Sequence, residues 1–484
     1  MTTTGALPTA MPPTAMPPTA QPRTTPAHRP VRRPAATPRW WADAAGFGAG
    51  LSLVVVTALW VGNGGVQQSV AAGWTAVSAI GRLSGLWAAD LMLLQVLLLA
   101  RVPLVERAFG QDRLARWHRW VGFTSFHLML AHILLITMGY AGPTRTHVLV
   151  QFWDLVVSYP GMLLAAAASV LLVMVVVTSL RAARRRLRYE SWHLLHLYAY
   201  LGVGLALPHQ LWTGADFIGS PLARAYWMTL YVVCAGAVLV YRLALPAWRS
   251  WRHRLQVASV VPEGPGLTSI YLRGRRLDRL PARAGQFFHW RFLDGPGWSR
   301  ANPYSLSGPP RADLLRITVK DLGDGSGRVA GLRPGTPVLL EGPYGRMTAE
   351  AYRGGPVTML ACGIGITPLL ALLWDLPYRY GDATLVYRAR SETEIAFSSE
   401  LDWLARHRGV RVVYLLGPRA ERPSWLPRQA AELSDVDGLR RIVPGIARHH
   451  LYLCGPDPWT EAVRTAARAA GVPADRIHSE HFAW

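Results

Sequence analysis

The chain has 484 residues, of which 51% are hydrophobic, and its 51 Lys and Arg against 29 Asp and Glu give a formal net charge of +22. This length allows two to three domains, and the high apolar fraction excludes a chain that is disordered throughout and a collagen-like chain. Three cysteines without a C-x-x-C pair exclude a disulfide framework, a four-thiolate zinc site and an iron–sulfur cluster held by the chain itself.

The first forty residues are rich in Pro and Thr and contain the near-repeat PTAMPPTAMPPTAQP at 8–22. They lack apolar periodicity, so we expect residues 1–40 to form a disordered tail. The charged stretch at 23–39 lies too far from Met1 for a signal peptide, and no small-residue cleavage site follows it.

Six apolar stretches follow, and each has about the 20 residues that a helix needs to cross the hydrocarbon core of a bilayer. They cover residues 42–62, 84–104, 117–139, 159–180, 192–212 and 223–245. These stretches are too long for the strands of a membrane barrel, the other structure that satisfies backbone groups in lipid. The sequence therefore predicts a multi-domain membrane protein that begins with a six-helix transmembrane bundle over residues 41–248, surrounded by membrane lipid.

Arginines are concentrated on alternate connections between these stretches. The segments 23–39, 101–119, 181–188 and 242–254 each hold four or five arginines, whereas the three opposite connections hold one each. The positive-inside rule then predicts a multi-pass plasma-membrane protein with both termini in the cytoplasm. We expect these arginines to contact lipid phosphate groups, and we predict no nucleic-acid partner.

Histidines occur in only two of the six stretches, and ionisable side chains at membrane depth are rare and point to function. The third stretch contains His118, His127 and His132, and the fifth contains His193, His196 and His209. His118 and His132 are fourteen residues apart, close to four helical turns, and so share one helix face about 21 Å apart along the axis.

The other four histidines differ in their expected roles. His127 falls on the opposite face of its helix and is expected to form a structural hydrogen bond. His196 and His209 are thirteen residues apart and would diverge on an ideal helix, but Pro208 can kink or unwind the helix before His209. His193, three residues before His196, is the alternative to it.

Two facing pairs, His118 with His196 and His132 with His209, can each hold a six-coordinate haem between neutral imidazoles. The two levels are about 20 Å apart within a hydrocarbon layer of about 30 Å, so two stacked haems would conduct electrons across the membrane. One tetrahedral zinc site cannot include pairs that lie this far apart.

With these pairs and the run R-R-x-x-Y-E-x-W at 185–192, the sequence resembles the ferric reductase/NADPH oxidase family of transmembrane flavocytochromes b. The resemblance extends over residues 42–484 and implies that His118, His132, His196 and His209 are the axial ligands of two b-type haems.

After Trp251 the pattern changes to short β-like runs separated by Gly and Pro, which predicts an antiparallel β-barrel over residues 251–350. Its predicted strands are LTSIYLRG, GQFFHWRF, LLRITVK and TPVLLEGPYG. Between them, ANPYSLSG at 301–308 is similar to the FAD-binding R-x-Y-S motif of the ferredoxin–NADP reductase family.

That resemblance implies that Tyr304 packs against the isoalloxazine of FAD and that Ser305 bonds near its reactive nitrogen, with Leu306 and Ser307 completing the motif. Gly325 and Ser326, in GDGSGRVAGL, would bind the pyrophosphate. Asn302 stands where the family has Arg or His, so the missing charge is lost or passes to Arg300 or Arg328.

From residue 354 to 484, strands alternate with helices, which predicts a Rossmann-like α/β NAD(P)-binding domain. The run G-I-G-I-T-P matches the nicotinamide-nucleotide turn of the same family, and a helix start of this kind favours phosphate. The resemblance implies that Gly363, Gly365, Thr367 and Pro368 bind NAD(P)H.

Two arginines end the next predicted strand, Arg388 and Arg390. By analogy with arginines that recognise a 2′-phosphate, they favour NADPH over NADH, although ordinary solvated arginines are the alternative. Downstream, Cys454, Gly455 and Pro456 match the C-G-P motif that lies beside the nicotinamide in this family.

The chain ends in SEHFAW, and in this family a terminal aromatic ring covers the flavin face that the nicotinamide must reach. The resemblance makes Trp484 a gate and Glu480 a polar group nearby. The predicted catalytic residues are therefore Ser305, Cys454, Glu480 and Trp484.

The expected function is a transmembrane oxidoreductase that passes electrons from cytoplasmic NAD(P)H through FAD and two b-type haems to an external acceptor, a ferric chelate or dioxygen. Ile136 occupies a position where superoxide-producing oxidases often have a histidine, which favours a ferric reductase. Asp90, expected in the outer half of the second stretch, would shape an acceptor site or form an interhelical hydrogen bond. The alternatives are a superoxide-producing NADPH oxidase, a haem-free membrane-anchored flavin reductase, and a haem-holding subunit with an inactive flavin domain.

Overall fold

A computed structural model of the chain describes residues 40–71, 73–295, 297–298, 300–430 and 432–480. The predicted N-terminal tail, apart from its last residue, and the predicted gate Trp484 lie outside these residues.

The first half of the described chain is helical. Its helices are α1 (Trp40–Gly62), α2 (Gly65–Val70), α3 (Trp74–Leu99), α4 (Pro103–Phe109), α5 (Gln111–Thr144), α6 (Val148–Ser158), α7 (Met162–Ser179), α8 (Arg181–Arg184), α9 (Tyr189–Leu205), α10 (Leu207–Thr213), α11 (Ala215–Ile218), α12 (Pro221–Val238) and α13 (Leu245–His253). A π-helical segment, Leu239–Ala244, joins α12 to α13 into one continuous helix. This helix passes the predicted domain boundary at 248.

Five helices among the described residues are long and apolar enough to cross a membrane, rather than the six expected. They are α1, α3, α5, α7 and the continuous α12–α13 helix. The fifth predicted span is divided into α9, which has only 17 residues, and α10, because the chain turns at Ala206 and Pro208 enters the first turn of α10. The second span also begins earlier than predicted, at Trp74 rather than residue 84.

Close packing of α3 against α5 is made possible by two glycines of α5. A Cβ at Gly139 would lie 2.0 Å from Ser78 Oγ, and a Cβ at Gly142 would lie 2.0 Å from the ring of Trp74. Small residues allow helix backbones to approach in this way in lipid, where the hydrophobic effect does not drive helix association.

The middle of the chain forms an antiparallel sheet with the order β4-β3-β6-β1-β2-β5. The strands are β1 (Leu255–Gly264), β2 (Leu267–Arg273), β3 (Phe287–Phe292), β4 (Asn302–Ser305), β5 (Leu314–Lys320) and β6 (Pro337–Tyr344), and a short helix α14 (Asp324–Gly327) lies between β5 and β6. The two edge strands are linked by a bridge between Leu306 and Ile317, so the sheet curves round on itself. We call this unit the flavin domain. The four expected strands correspond to β2, β3, β5 and β6, and β1 was not predicted.

The last part of the chain is a parallel sheet with helices around it, in the order β11-β10-β7-β8-β9. Its elements are β7 (Val357–Cys362), α15 (Ile366–Asp375), β8 (Ala383–Arg388), α16 (Ser398–Arg408), β9 (Arg411–Leu415), α17 (Asp435–Ile442), β10 (His450–Cys454), α18 (Asp457–Ala469) and β11 (Ile477–Glu480). The strand order reverses between β7 and β10, and in open α/β sheets ligands bind at the carboxyl ends of the strands beside such a switch point.

Candidate functional site

The membrane half brings His118 of α5 and His196 of α9 together. Their ring centres are 5.9 Å apart and the ring planes are inclined at 63°. A metal–imidazole bond is about 2 Å long and a ring nitrogen lies about 1 Å from the ring centre, so a metal held on both sides keeps the ring centres about 6 Å apart. The separation of this pair therefore fits an axial pair around one metal ion.

The second predicted pair, His132 and His209, lies further along the chain direction, on α5 and on the short helix α10 that follows α9. A Cβ at Gly85 of α3 would lie 2.4 Å from His132 Nδ1 and 2.7 Å from its Cε1. The missing side chain of Gly85 thus provides the space that the His132 ring occupies. A Cβ at Gly161, just before α7, would lie 2.8 Å from the backbone nitrogen of His209, so this glycine likewise allows the close approach of α10.

The Nδ1 atoms of three of these histidines are engaged by their neighbours. His118 donates to Gln95 O at 3.2 Å and His132 donates to Gly81 O at 2.7 Å, while His196 Nδ1 lies 3.2 Å from Ser179 Oγ. A carbonyl on Nδ1 leaves Nε2 with a free lone pair, which is the arrangement found for metal-bound histidines. These contacts leave Nε2 of the three rings as the candidate ligand atom.

The remaining histidines of the membrane half have other surroundings. His127 is exposed on the bundle surface and donates from Nδ1 to Phe123 O of its own helix at 2.7 Å, so the prediction of a structural hydrogen bond is confirmed. His193 lies beside Trp192 and near charged groups of the flavin domain, whereas His196 is the residue that faces His118.

Asp90 is buried and accepts a hydrogen bond from Ser52 Oγ of α1 at 2.6 Å. Along α3 it is closer to Gln95, which contacts His118, than to Gly81, which contacts His132. The expected position in the outer half of this span was wrong because α3 begins ten residues earlier than predicted. Its observed role is the interhelical hydrogen bond that was the alternative.

In the flavin domain, Tyr304 and Ser305 end β4, next to the buried core of the sheet. Ser305 is 5% exposed and its Oγ has no hydrogen-bond partner among the described residues. A buried hydroxyl without a partner is rare in folded proteins and fits a bound group that supplies one. Burial also raises the pKa of Tyr304 to about 12.

The other predicted FAD residues already form contacts within the protein. Leu306 is fully buried in the sheet core, and Ser307 Oγ accepts from Thr318 Oγ1 at 2.8 Å. Gly325 and Ser326 lie in α14, where Ser326 Oγ donates to Gly323 O at 2.7 Å and accepts from Leu322 N at 2.8 Å. The side chains of Ser307 and Ser326 are therefore engaged in these bonds, and pyrophosphate binding by Gly325 and Ser326 stays a prediction.

Asn302 lies at the start of β4, and its amide donates to Trp290 O at 3.4 Å and to Arg300 O at 3.3 Å. Arg300 and Arg328 line the same small cleft as Asn302. Both arginines already have an acidic partner, since Arg300 pairs with Glu190 at 2.7 Å and Arg328 pairs with Asp294 at 2.8 Å. The cleft nevertheless places positive charge where the motif lacks it.

The nicotinamide turn follows β7 at the switch point of the parallel sheet. Gly363 has a φ of +55°, and a Cβ at Gly365 would lie 2.2 Å from Cys454 O, so both positions require glycine. Thr367 is buried and donates to Ile364 O at 3.0 Å, and Pro368 is buried in the first turn of α15. The backbone of the turn therefore lies directly against the end of β10, where Cys454 is.

The two arginines after the turn have different environments. Arg388 is 6% exposed and its guanidinium donates to three backbone carbonyls, those of Ala389, Leu415 (3.2 Å) and Pro418 (2.9 Å). These bonds hold its guanidinium against the backbone, so its predicted role in binding a 2′-phosphate stays a prediction that would require some of them to break. Arg390 is exposed and remains the candidate.

The predicted catalytic residues Cys454 and Glu480 are neighbours, since β10 and β11 pair them in register. Cys454 is fully buried, and burial raises the pKa of its thiol well above the ordinary value. Glu480 is buried, and its carboxylate accepts from the backbone nitrogens of Arg346 and Met347, the latter at 3.1 Å. Gly455 packs against Cys362, and Pro456 precedes α18.

Two polar clusters were not predicted from the sequence. Arg82 of α3 lies 3.8 Å from Asp216, which also accepts from the amide of Asn63 at 3.2 Å. At the opposite end of α3, Arg101 contacts His289 and Glu341 of the flavin domain. The sequence showed only how many arginines each connection holds. The partners Asp216, His289 and Glu341 lie more than a hundred positions further along the chain, so no local pattern pointed to them.

Comparison with known proteins agrees with this division into parts. Residues 84–207 match the family described as ferric reductase like transmembrane component, and residues 359–465 match the oxidoreductase NAD-binding domain. The chain is 32% identical over 210 residues to ferredoxin–NADP reductase B of Sorangium cellulosum, and the match covers 84% of that protein and 41% of this chain.

The chain is also 34% identical over 252 residues to a flavohemoprotein of Chromobacterium violaceum, covering 49% of this chain and 61% of the relative, which is less than two thirds of its length. Among solved structures, the FAD/NAD-binding domain of nitric oxide dioxygenase from Vibrio cholerae O1 biovar El Tor has a TM-score of 0.39 and 25% identity, over 47% of this chain and 98% of that one. The chain therefore belongs to the ferredoxin–NADP reductase family of FAD- and NAD(P)-dependent oxidoreductases, and it joins that module to a ferric reductase-like transmembrane component.

Proposed function

We propose that this chain transfers electrons across the plasma membrane, from cytoplasmic NAD(P)H to an acceptor on the other side. Its resident cofactors in this proposal are FAD and two b-type haems, and both termini lie in the cytoplasm. The observation that carries the proposal is the pair His118 and His196, whose ring centres are 5.9 Å apart at the end of the bundle nearest the flavin domain.

The three cofactors have complementary chemistry. NAD(P)H gives up two electrons together, haem iron accepts one at a time, and FAD can do both. In the proposal, His118 with His196 and His132 with His209 hold the two haems through Nε2, and the carbonyls of Gln95 and Gly81 orient the α5 histidines. No side chain is required as a general base for electron transfer itself.

The residues around the nucleotide sites orient and insulate rather than react. Ser305 offers a buried hydroxyl to the flavin, and the glycine turn at 363–365 lets the nicotinamide nucleotide approach the end of β10. Cys454 stays a neutral thiol beside that turn. Because Arg390 is exposed after β8, NADPH is preferred over NADH in this proposal.

Ferric chelates are the proposed acceptor. Ile136, at the far end of α5, leaves no imidazole where superoxide-producing oxidases often have one, and this is the sequence feature that favours a ferric reductase over an NADPH oxidase. Purified protein in liposomes, given NADPH, is expected to reduce ferric citrate faster than it forms superoxide. A superoxide yield that accounts for all NADPH oxidised would support the oxidase instead.

The haem proposal is tested by counting haems. A pyridine haemochrome assay of the purified protein is expected to find two b-type haems per chain, falling to one in His132→Leu and in His209→Leu. His127→Leu is the matched control, because His127 bonds to its own helix and is expected to keep both haems. A parental protein without haem would leave a membrane-anchored flavin reductase as the explanation.

A further inference from the structure

Arg101 occupies an unusual backbone conformation at the point where the helical bundle meets the flavin domain. It follows α3 directly and has a φ of +64°, in the left-handed region that costs a non-glycine residue about 1 kcal/mol or more. Its side chain is only 10% exposed. Backbone strain of this kind persists only where surrounding contacts hold the residue in place.

Those contacts come from two neighbouring strands of the flavin domain. Arg101 Nη2 donates to His289 Nε2 of β3 at 3.3 Å, and its Nε lies 4.0 Å from Glu341 Oε1 of β6. The guanidinium carbon lies 4.3 Å above the centre of the Tyr344 ring. On its own side Arg101 lies 3.8 Å from Glu106 of α4, which is also buried.

The partners of Arg101 are themselves fixed. Tyr344 donates to Glu341 Oε1 at 2.9 Å, and Arg291 lies 3.6 Å from Glu341 Oε2. Burial lowers the pKa of His289 to about 3, so its ring is neutral and its Nε2 can accept from Arg101. Arg101 Nε and Nη1 form no hydrogen bond among the described residues, so the guanidinium is held by the Nη2 bond, the Tyr344 ring and the charges of its neighbours. Removing it leaves Glu341 buried with one cation fewer.

This cluster connects the two cofactor regions. On one side, α3 carries Gln95, whose carbonyl accepts from His118, only six residues before Arg101. On the other, His289 pairs with Pro303 in β4, directly before Tyr304. A short, buried path of contacts therefore joins the helix that orients the inner histidine to the strand that carries the predicted flavin residues.

Other contacts between the two parts are more exposed or involve only the continuous helix. Glu190, near the start of α9, pairs with Arg300 at 2.7 Å, but their side chains are 46% and 40% exposed. Ser250 of α13 accepts from Leu340 N at 3.1 Å, and Arg249 donates to Gly342 O. Exposed ion pairs contribute little, typically 0 to about 1 kcal/mol, so the buried Arg101 cluster is the stronger contact.

We infer that Arg101 is a positioning residue that locks the flavin domain onto the helix bundle and so sets the distance over which electrons pass from the flavin to the inner haem. The inference rests on the proposed function for its electron-transfer part. Its structural part, that Arg101 holds β3 and β6 against the bundle, stands on the contacts alone.

The experiment uses the full chain in lipid nanodiscs and compares Arg101→Met, Arg101→Lys and Arg145→Met. Arg145 is the matched control, because it is also an arginine with positive φ (+53°) but is exposed at the opposite end of α5. After anaerobic mixing with NADPH, stopped-flow absorbance follows flavin reduction and haem reduction separately. Ferricyanide reduction measures flavin turnover without the haems. Hydrogen exchange of β3 and β6 reports docking independently of any activity.

In Arg101→Met we expect haem reduction to slow about tenfold or more, flavin reduction and ferricyanide turnover to stay unchanged, and exchange in β3 and β6 to increase. Arg101→Lys should keep part of the parental rate of haem reduction, and Arg145→Met should keep all of it. Parental haem rates and exchange in Arg101→Met would overturn the inference, as would an equal slowing of flavin reduction. A parental protein without haem would refute the proposed function instead, and the exchange measurement would still decide whether Arg101 docks the domain.

Discussion

Replacing Gly85 by alanine tests whether the His132 ring is held in the position that a haem ligand needs. A Cβ at this position would lie 2.4 Å from Nδ1, 2.7 Å from Cε1 and 2.9 Å from Cγ of that ring. Carbon–nitrogen contacts need about 3.4 Å or more, so the ring must retreat by roughly 1 Å. Such a shift stretches the 2.7 Å hydrogen bond to Gly81 O beyond normal length.

The expected cost combines two effects. Overpacking in a well-packed interior costs about 1–3 kcal/mol, and losing the hydrogen bond adds about 1 kcal/mol. Because both act on one ring, we expect Gly85→Ala to weaken binding of the outer haem about 30- to 1,000-fold and to leave the inner haem in place. The total of about 2–4 kcal/mol corresponds to a factor of roughly 30 to 1,000 in binding.

The assay is a haem count with a dithionite-minus-oxidised spectrum of purified protein, together with its thermal unfolding. Gly204→Ala is the matched control: Gly204 lies in α9 between the two histidine levels, and its Cβ would meet nothing within 4 Å. It should keep both haems and the parental melting temperature. If Gly85→Ala also keeps both haems with an unchanged spectrum, the His132 ring does not bind metal in the position described.

Three further predictions concern the flavin and nucleotide domains and their junction with the bundle. Arg390→Gln should raise the KM for NADPH about tenfold and leave the KM for NADH unchanged; equal changes in both KM values would contradict this. Arg388→Gln should lower the melting temperature without changing the ratio of the two KM values, because the Arg388 guanidinium is bound to three backbone carbonyls. Ser305→Ala should slow flavin reduction about five- to tenfold while the melting temperature of the cofactor-free protein stays the same, since its Oγ has no partner within the described structure; an unchanged rate would remove Ser305 from the flavin site. Burial raises the pKa of Glu106 from 4.5 to about 7, so the folded protein binds this proton more tightly than the unfolded chain. The contribution of Glu106 to stability therefore falls as the pH rises from about 4.5 through 7, and melting temperatures between pH 4.5 and 8 should show this slope. Glu106→Gln should reduce the slope, and an identical slope in the variant would show that another group titrates.

Much of the architecture could be predicted because its signals are local. A run of about 20 apolar residues, an alternating strand or a glycine turn before a helix is visible in a short window of sequence. The expected strands at 267–274, 285–292, 314–320 and 336–345 correspond to β2, β3, β5 and β6, and the predicted glycine turn follows β7. The span boundaries were less accurate, because α3 and the α9–α10 break depend on where helices pack and turn.

The sequence by itself determined which residue types are available at each level: histidines at helical spacing, a Y-S pair at the end of a strand, and glycines where a nucleotide must approach. Only the tertiary structure decided which of two similar residues, close together in the sequence, is in a position to contact a second histidine or a ligand. It turned His196 rather than His193 towards His118, tied Arg388 to carbonyls while leaving Arg390 exposed, and joined Arg101 to Glu341 across 240 positions of chain. The physical reason is that contacts between distant segments decide whether a side chain is buried and which residue it bonds to. A local pattern of residues does not encode which distant segment will pack against it.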